Sequence, residues 1–266
     1  MEIGDLLDET FRMYRRHFLL FAGISAILSI PLAALAAFSF FALFNDFAQQ
    51  VGTNQPPDFS NLGPSLATFA LFFIVNLALY PFLYGSITYA ACESALGRPV
   101  TFWGALRAAF RHYIQIAAFL ILILLMAIMF CLLPLWIWIW VGWIVVMPVM
   151  FIENTGLIAA MGRSWRLVEG RWWRTFLILF LIFVLVEVVS SALGAFLFLA
   201  QTGLQIILSP YLSVAISEGA SVIISSLITP ILQIAIVLLY FDLRVRREGL
   251  DLFQLAQHVA APLPRL

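Results

Sequence analysis

Six long runs of this 266-residue chain are almost free of charge, and they constrain its fold more than any other feature. They cover residues 18–44, 65–91, 113–131, 135–152, 175–199 and 220–240. A helix needs about 20 mainly apolar residues to cross a hydrocarbon layer about 30 Å thick. The runs are apolar on every face, whereas barrel strands alternate over about ten residues. They predict an all-α, polytopic membrane protein with six transmembrane helices in one domain, residues 1–266. The chain is 64% hydrophobic and 11% charged, against about 45–50% and 25% in soluble domains. That balance excludes a soluble globular fold, a disordered chain and a nucleic-acid partner.

All 14 basic residues are arginine, and their placement sets a direction. Arg12, Arg15 and Arg16 precede the first run. Arg98, Arg107 and Arg111 lie between the second and third. Arg163, Arg166, Arg171 and Arg174 lie between the fourth and fifth, and Arg244, Arg246, Arg247 and Arg265 follow the sixth. Segments 45–64 and 201–219, and the turn near Pro134, hold none. Arginine is retained on the cytoplasmic side, so both termini are expected there, in a prokaryotic inner or plasma membrane. Glu2, Asp5, Asp8 and Glu9 argue against a cleaved signal peptide, and the first run reads as an uncleaved span. Cys92 and Cys131 fall at opposite faces, so no disulfide is expected. Turn formers in 45–64 predict an irregular connector. Segment 201–219 is apolar but interrupted by Gly203, Ser209, Pro210 and Gly219, and is expected to lie at the outer interface or dip partway in.

The arginine segments resemble one another. Phe11-Arg12-Met13-Tyr14-Arg15-Arg16-His17-Phe18, Leu106-Arg107-Ala108-Ala109-Phe110-Arg111-His112-Tyr113 and Trp165-Arg166-Leu167-Val168-Glu169-Gly170-Arg171-Trp172 align without gaps. Each belongs to a stretch with apolar residues at helical spacing, such as Ile3, Leu6, Leu7, Phe11 and Tyr14. The expected architecture is three hairpins, each preceded by a cytoplasmic interfacial amphipathic helix. Pro81 is followed twelve residues later by Glu93, and Pro230 twelve later by Asp242. Pro148 stands only five before Glu153, so that match is poor. True duplication and a shared need for Arg-aromatic anchors both explain the pattern.

Three stretches carry a family resemblance. They are the opening Ile3-Gly4-Asp5 through His17-Phe18; Pro148 to Glu153-Asn154-Thr155-Gly156, with Arg163-Ser164-Trp165-Arg166 through Trp173-Arg174; and Leu239-Tyr240-Phe241-Asp242-Leu243-Arg244 through Asp251. Together they resemble the prokaryotic membrane domain associated with glycerophosphoryl diester phosphodiesterases, which also occurs alone as six-span proteins. The resemblance implies the membrane fold and no activity, because the phosphodiesterase chemistry belongs to a separate barrel domain that this chain has no room for.

Glu187 is the residue that costs most to place. It falls near the middle of the fifth run, where an acidic side chain costs about 2.5–3.5 kcal/mol on insertion scales. It is expected to face the bundle interior, with Asn76, Gln115, Ser190 or Gln233 as partner. It reads either as a proton or cation site in a conduit or as packing glue. Ser217, Ser221, Ser225 and Thr229 form a polar stripe that either packs closely or lines the same path. Arg12, Arg16, Arg107, Arg111, Arg166 and Arg171 are the lipid-headgroup candidates. His17, His112 and His258 with two cysteines make no metal-ligand spacing, and no phosphate loop or nucleophile elbow is present, so no catalytic residue, metal or cofactor is expected. The sequence therefore points to a non-enzymatic, lipid-interacting or assembly scaffold, with membrane lipids as partners and a second copy or another membrane protein as a further one. The alternative is a transporter or channel using Glu187.

Overall fold

The computed structural model describes residues 3–51, 63–128 and 133–249. Among them are ten helices and no strand: α1 (Ile3–Arg16), α2 (Phe18–Val51), α3 (Gly63–Ala95), α4 (Phe102–Arg111), α5 (Tyr113–Ile128), α6 (Leu133–Gly142), α7 (Val146–Glu153), α8 (Leu157–Val168), α9 (Trp172–Leu204) and α10 (Pro210–Glu248). Five stretches are long and apolar enough to cross a membrane: α2, α3, α6 with α7, α9 and α10. A sixth is gained when α5 is joined to α4, from which it bends by 69°. The chain is an all-helical, multi-pass membrane protein.

Several helices overrun the expected spans. The 39 residues of α10 reach about 58 Å at 1.5 Å per residue, nearly twice the hydrocarbon thickness. Segment 201–219 is mostly helical. Helix α9 runs to Leu204, and α10 starts at Pro210. The Ser209 side chain accepts from the Leu212 amide at 3.4 Å, and proline fits a first helical turn, where its missing N–H has no partner to lose. The connector predicted over 45–64 is helical at its two flanks, 45–51 and 63–64, and 52–62 lie outside the described residues, as do Cys131, His258 and Arg265. The fourth run is broken between Gly142 and Val146. Pro148 offers no N–H to the Ile144 carbonyl. The ladder tightens there, with the Val146 amide donating to the Trp143 carbonyl at 3.2 Å.

The packed core sits at the arginine-rich end. Helix α3 is largely exposed over its first half and buried from Pro81 to Cys92, α7 is buried from Val146 to Met150, and α10 from Gln233 to Leu243. These three inner segments touch one another. One side chain from each meets at the centre: the Thr88 hydroxyl donates to the Gln233 side-chain oxygen at 2.9 Å and lies 3.9 Å from the Met147 sulfur. Around this hub wrap α1, α4 and α8. Each buries one face at helical spacing, by Leu6, Thr10 and Met13, by Ala105 and Ala109, and by Ala160, Ser164, Leu167 and Val168. Approach is close where glycine allows it. A β-carbon on Gly142 would stand 2.5 Å from the Trp165 ring.

Contacts recur around the bundle. Helices α1 and α2 pack on α10, α4 and α5 on α3, and α8 on α7 and α6. Each wrap carries one aromatic donor that reaches a main-chain carbonyl. Tyr14 bonds Leu227 at 2.7 Å, Tyr113 bonds Ala78 at 3.0 Å, and the Trp172 indole bonds Trp138 at 3.2 Å. Ala78, Trp138 and Leu227 each stand fifteen residues before an acid, Glu93 of α3, Glu153 of α7 and Asp242 of α10. Ala78 and Leu227 also lie three before Pro81 and Pro230. The register that failed when counted from proline holds when counted from these carbonyls.

Candidate functional site

The inner ends of α7 to α10 form an ion-pair junction. Glu153, ending α7, accepts from Arg163 of α8 at 3.1 Å through both oxygens, and from the Tyr240 hydroxyl of α10 at 3.0 Å. Arg163 also bonds Glu248, which Arg244 meets at 3.0 Å. Burial works against the charge of Arg163, but the bonds to Glu248 and Glu153 outweigh it and raise its pKa further. The Asp242 side chain, 2% exposed, meets Arg174 of α9 at 2.5 Å and Arg246 at 3.0 Å. Arg247 pairs with Glu169, and Arg171 bonds the Arg246 carbonyl at 3.1 Å. The four carboxylates are all paired with arginine, so this junction ties helices together. It joins the second and third of the resemblance-bearing stretches. Sequence reasoning placed none of Glu153, Tyr240 or Asp242 in a site, although an acid at the inner end of α3, α7 and α10 was visible.

The remaining arginines behave differently. Arg15, Arg16, Arg107, Arg111 and Arg166 are exposed and make no hydrogen bond or ion pair among the described residues. Arg12 meets only its helix neighbour Glu9 at 3.3 Å. On α4, Arg107 and Arg111 share an outward face with Trp103 and Phe110, 76% and 70% exposed. Arg171, also expected at headgroups, is instead half-buried in the junction. His17 fills the break between α1 and α2, and the His112 ring stands edge-on to Phe151 at 5.3 Å.

The intramembrane candidates do not converge. Glu187 is exposed and makes no hydrogen bond or ion pair among the described residues, contrary to the expectation that it faces inward. Helix α9 meets the bundle through Thr175, Ile178, Leu179 and Ile182. Continuing that stripe reaches Val186 and leaves Glu187 turned away by about 100°. Ser190 lies one turn on, half-buried. Gln115 contacts His112 at 3.2 Å at the start of α5, and Gln233 is held in the central hub. Asn76 and Ser225 line a side-opening groove of about 210 Å³ between α2, α3 and α10, with Ser29, Ser221 and Thr229. The Ser29 hydroxyl bonds Ser226 there at 2.8 Å.

No protein-family model, curated protein or solved structure matches the chain.

Proposed function

We propose that the chain is a non-enzymatic protein of the cell membrane, built from three hairpins with both termini in the cytoplasm, that acts as a lipid-interacting scaffold. The division among its arginines carries this reading. One set is consumed by the junction, while Arg15, Arg107, Arg111 and Arg166 are exposed on the short helices with no partner among the described residues. A guanidinium beside an exposed indole suits a surface where headgroup phosphates meet acyl chains. The gathering of the arginine segments at one end supports the inward orientation. Kinship with the phosphodiesterase-associated membrane domain is part of the proposal and rests on the three stretches quoted above. The test is the anionic lipid retained by detergent-purified protein. Each arginine near an anionic surface contributes about 1 kcal/mol, so Arg107→Gln with Arg111→Gln lowers affinity for phosphatidylglycerol vesicles roughly thirtyfold. Unchanged binding counts against the reading.

Glu187 favours an assembly role as well. A carboxyl facing lipid near mid-span costs about 2.5–3.5 kcal/mol. A second copy related by a two-fold axis along the membrane normal brings an identical carboxyl to the same depth. Ser191, Gly194 and Ala195 on the exposed part of α9 let the backbones approach. Disulfide crosslinking of Ser191→Cys or Gly194→Cys variants in membranes tests this, and failure of both refutes it. The transport alternative required Glu187 on a water path within the bundle, and its outward position supports the scaffold instead.

A further inference from the structure

A groove of about 370 Å³ opens at the arginine-rich end between α1, the inner end of α3 and α10. One wall carries Arg12, Arg16 and His17 from the end of α1 and the break after it. The opposite wall is Ser94, Ala95 and Gly97, where α3 ends. The floor is apolar, formed by Met13, Leu238 and Phe241. Arg16 and His17 have no side-chain hydrogen bond or ion pair among the described residues. Glu9 also lines the groove, and its carboxylate is engaged with Arg12 at 3.3 Å. The Ser94 hydroxyl is buried and has no hydrogen-bond partner among the described residues. Its oxygen is closed to solvent, so the groups free to receive a ligand in the groove are the cations.

We propose that this groove is a binding site for a phosphate ester. The guanidiniums of Arg16 and Arg12 donate to the phosphate oxygens, and His17 adds a ring N–H. Charge-assisted bonds from guanidinium to phosphate are short and strong, and the planar fork matches the oxyanion geometry. The apolar floor takes the carbon skeleton attached to the ester. A basic pocket between helices on the inner side is the usual seat of an anionic lipid headgroup. A soluble phosphate ester offers the same chemistry. The site deepens the lipid-interacting reading and rests on it, but it differs from the outward face of α4 in residues and in stoichiometry.

The experiment uses the full chain in detergent. Native mass spectrometry counts bound dioleoyl phosphatidylglycerol over a titration, and calorimetry measures glycerol 3-phosphate and inorganic phosphate. The wild type is expected to hold one tight phosphatidylglycerol above a background of weak ones. Arg16→Gln with His17→Gln weakens that one site at least tenfold. Neither side chain bonds another group among the described residues, so the melting temperature of this variant stays at the wild-type value and loss of binding is not loss of fold. Arg107→Gln with Arg111→Gln removes weak lipids and leaves the tight site intact. Displacement of the tight lipid by glycerol 3-phosphate assigns the site to soluble esters as well, and failure to displace it assigns the site to lipid. Absence of a one-to-one site, or equal weakening by the groove and α4 variants, overturns the proposal. If the α4 variants change nothing while the groove variants abolish the tight site, the broader lipid reading fails and this one stands.

Discussion

Removing the carboxylate of Asp242 should unfasten α9 from α10 at the inner end. The side chain is 2% exposed and receives Arg174 at 2.5 Å and Arg246 at 3.0 Å. Breaking a fully buried ion pair costs about 3–5 kcal/mol, because a charge is stranded without water. Here the groups left behind are the arginines, whose side chains are 27% and 38% exposed and keep other contacts, so the surface discount applies. The expected loss for Asp242→Ala is about 2–3 kcal/mol, in line with the roughly 1.5–3 kcal/mol of one bond to a charged group. At roughly 2–4 °C per kcal/mol for a chain of this size, the melting temperature falls by about 5–10 °C. Tryptophan fluorescence of detergent-purified protein measures it directly. A double-mutant cycle with Arg174→Ala separates the pair from its surroundings, and a coupling of about 1–2 kcal/mol is expected. A fall below about 1 °C, or strictly additive losses in the cycle, would refute the view that this junction holds the helices together.

Other consequences can be measured on the same preparation. Gly142→Val forces a side chain into the Trp165 ring and should destabilise by about 1–3 kcal/mol, as overpacking does; wild-type melting would show that α6 and α8 do not touch there. Thr88→Val leaves Gln233 without its donor and should cost about 1–3 kcal/mol, whereas Thr88→Val with Gln233→Leu should recover most of it, since removing both partners is nearly neutral. Cys92 is 1% exposed, so in a Cys131→Ser background maleimide labelling should be slow in the native protein and complete after denaturation. Rapid native labelling would place the inner half of α3 outside the core.

The apolar helices were legible because the bilayer imposes a local demand on length and polarity that each stretch must meet alone, but their ends were not, since several helices run past the apolar stretch. The start of α10 was legible too, in Ser209-Pro210, a capping hydroxyl followed by proline, but the apolar interruptions were weighed more heavily. The direction of Glu187 was not legible. A helix apolar on all sides has no stripe to read, and only the packing of Thr175, Ile178 and Ile182 on the bundle defines which way is in. The junction was hidden for another reason. Arg174 and Asp242 are 68 residues apart, and Glu153 and Tyr240 are 87 apart. Pairs of that separation exist only once the helices have docked. The threefold pattern was visible in the arginine segments, while the shared fifteen-residue spacing from carbonyl to acid shows only in the tertiary contacts.

The packing of α2 has a consequence for biosynthesis. Its most extensive neighbour among the described residues is α10, which is made long after it. At about 5–20 residues per second, the interval between completing α2 and beginning α10 is on the order of ten to thirty seconds. Throughout it, Ser29 has no Ser226 to meet and Tyr14 no Leu227 carbonyl to reach. The earliest segments must wait in the translocon or among lipids with a polar seam unmatched, and α10 acts as the keystone that lets the rest settle. A ribosome stalled before α10 should therefore leave a nascent chain whose first helices are inserted but still open to protease at their inner ends.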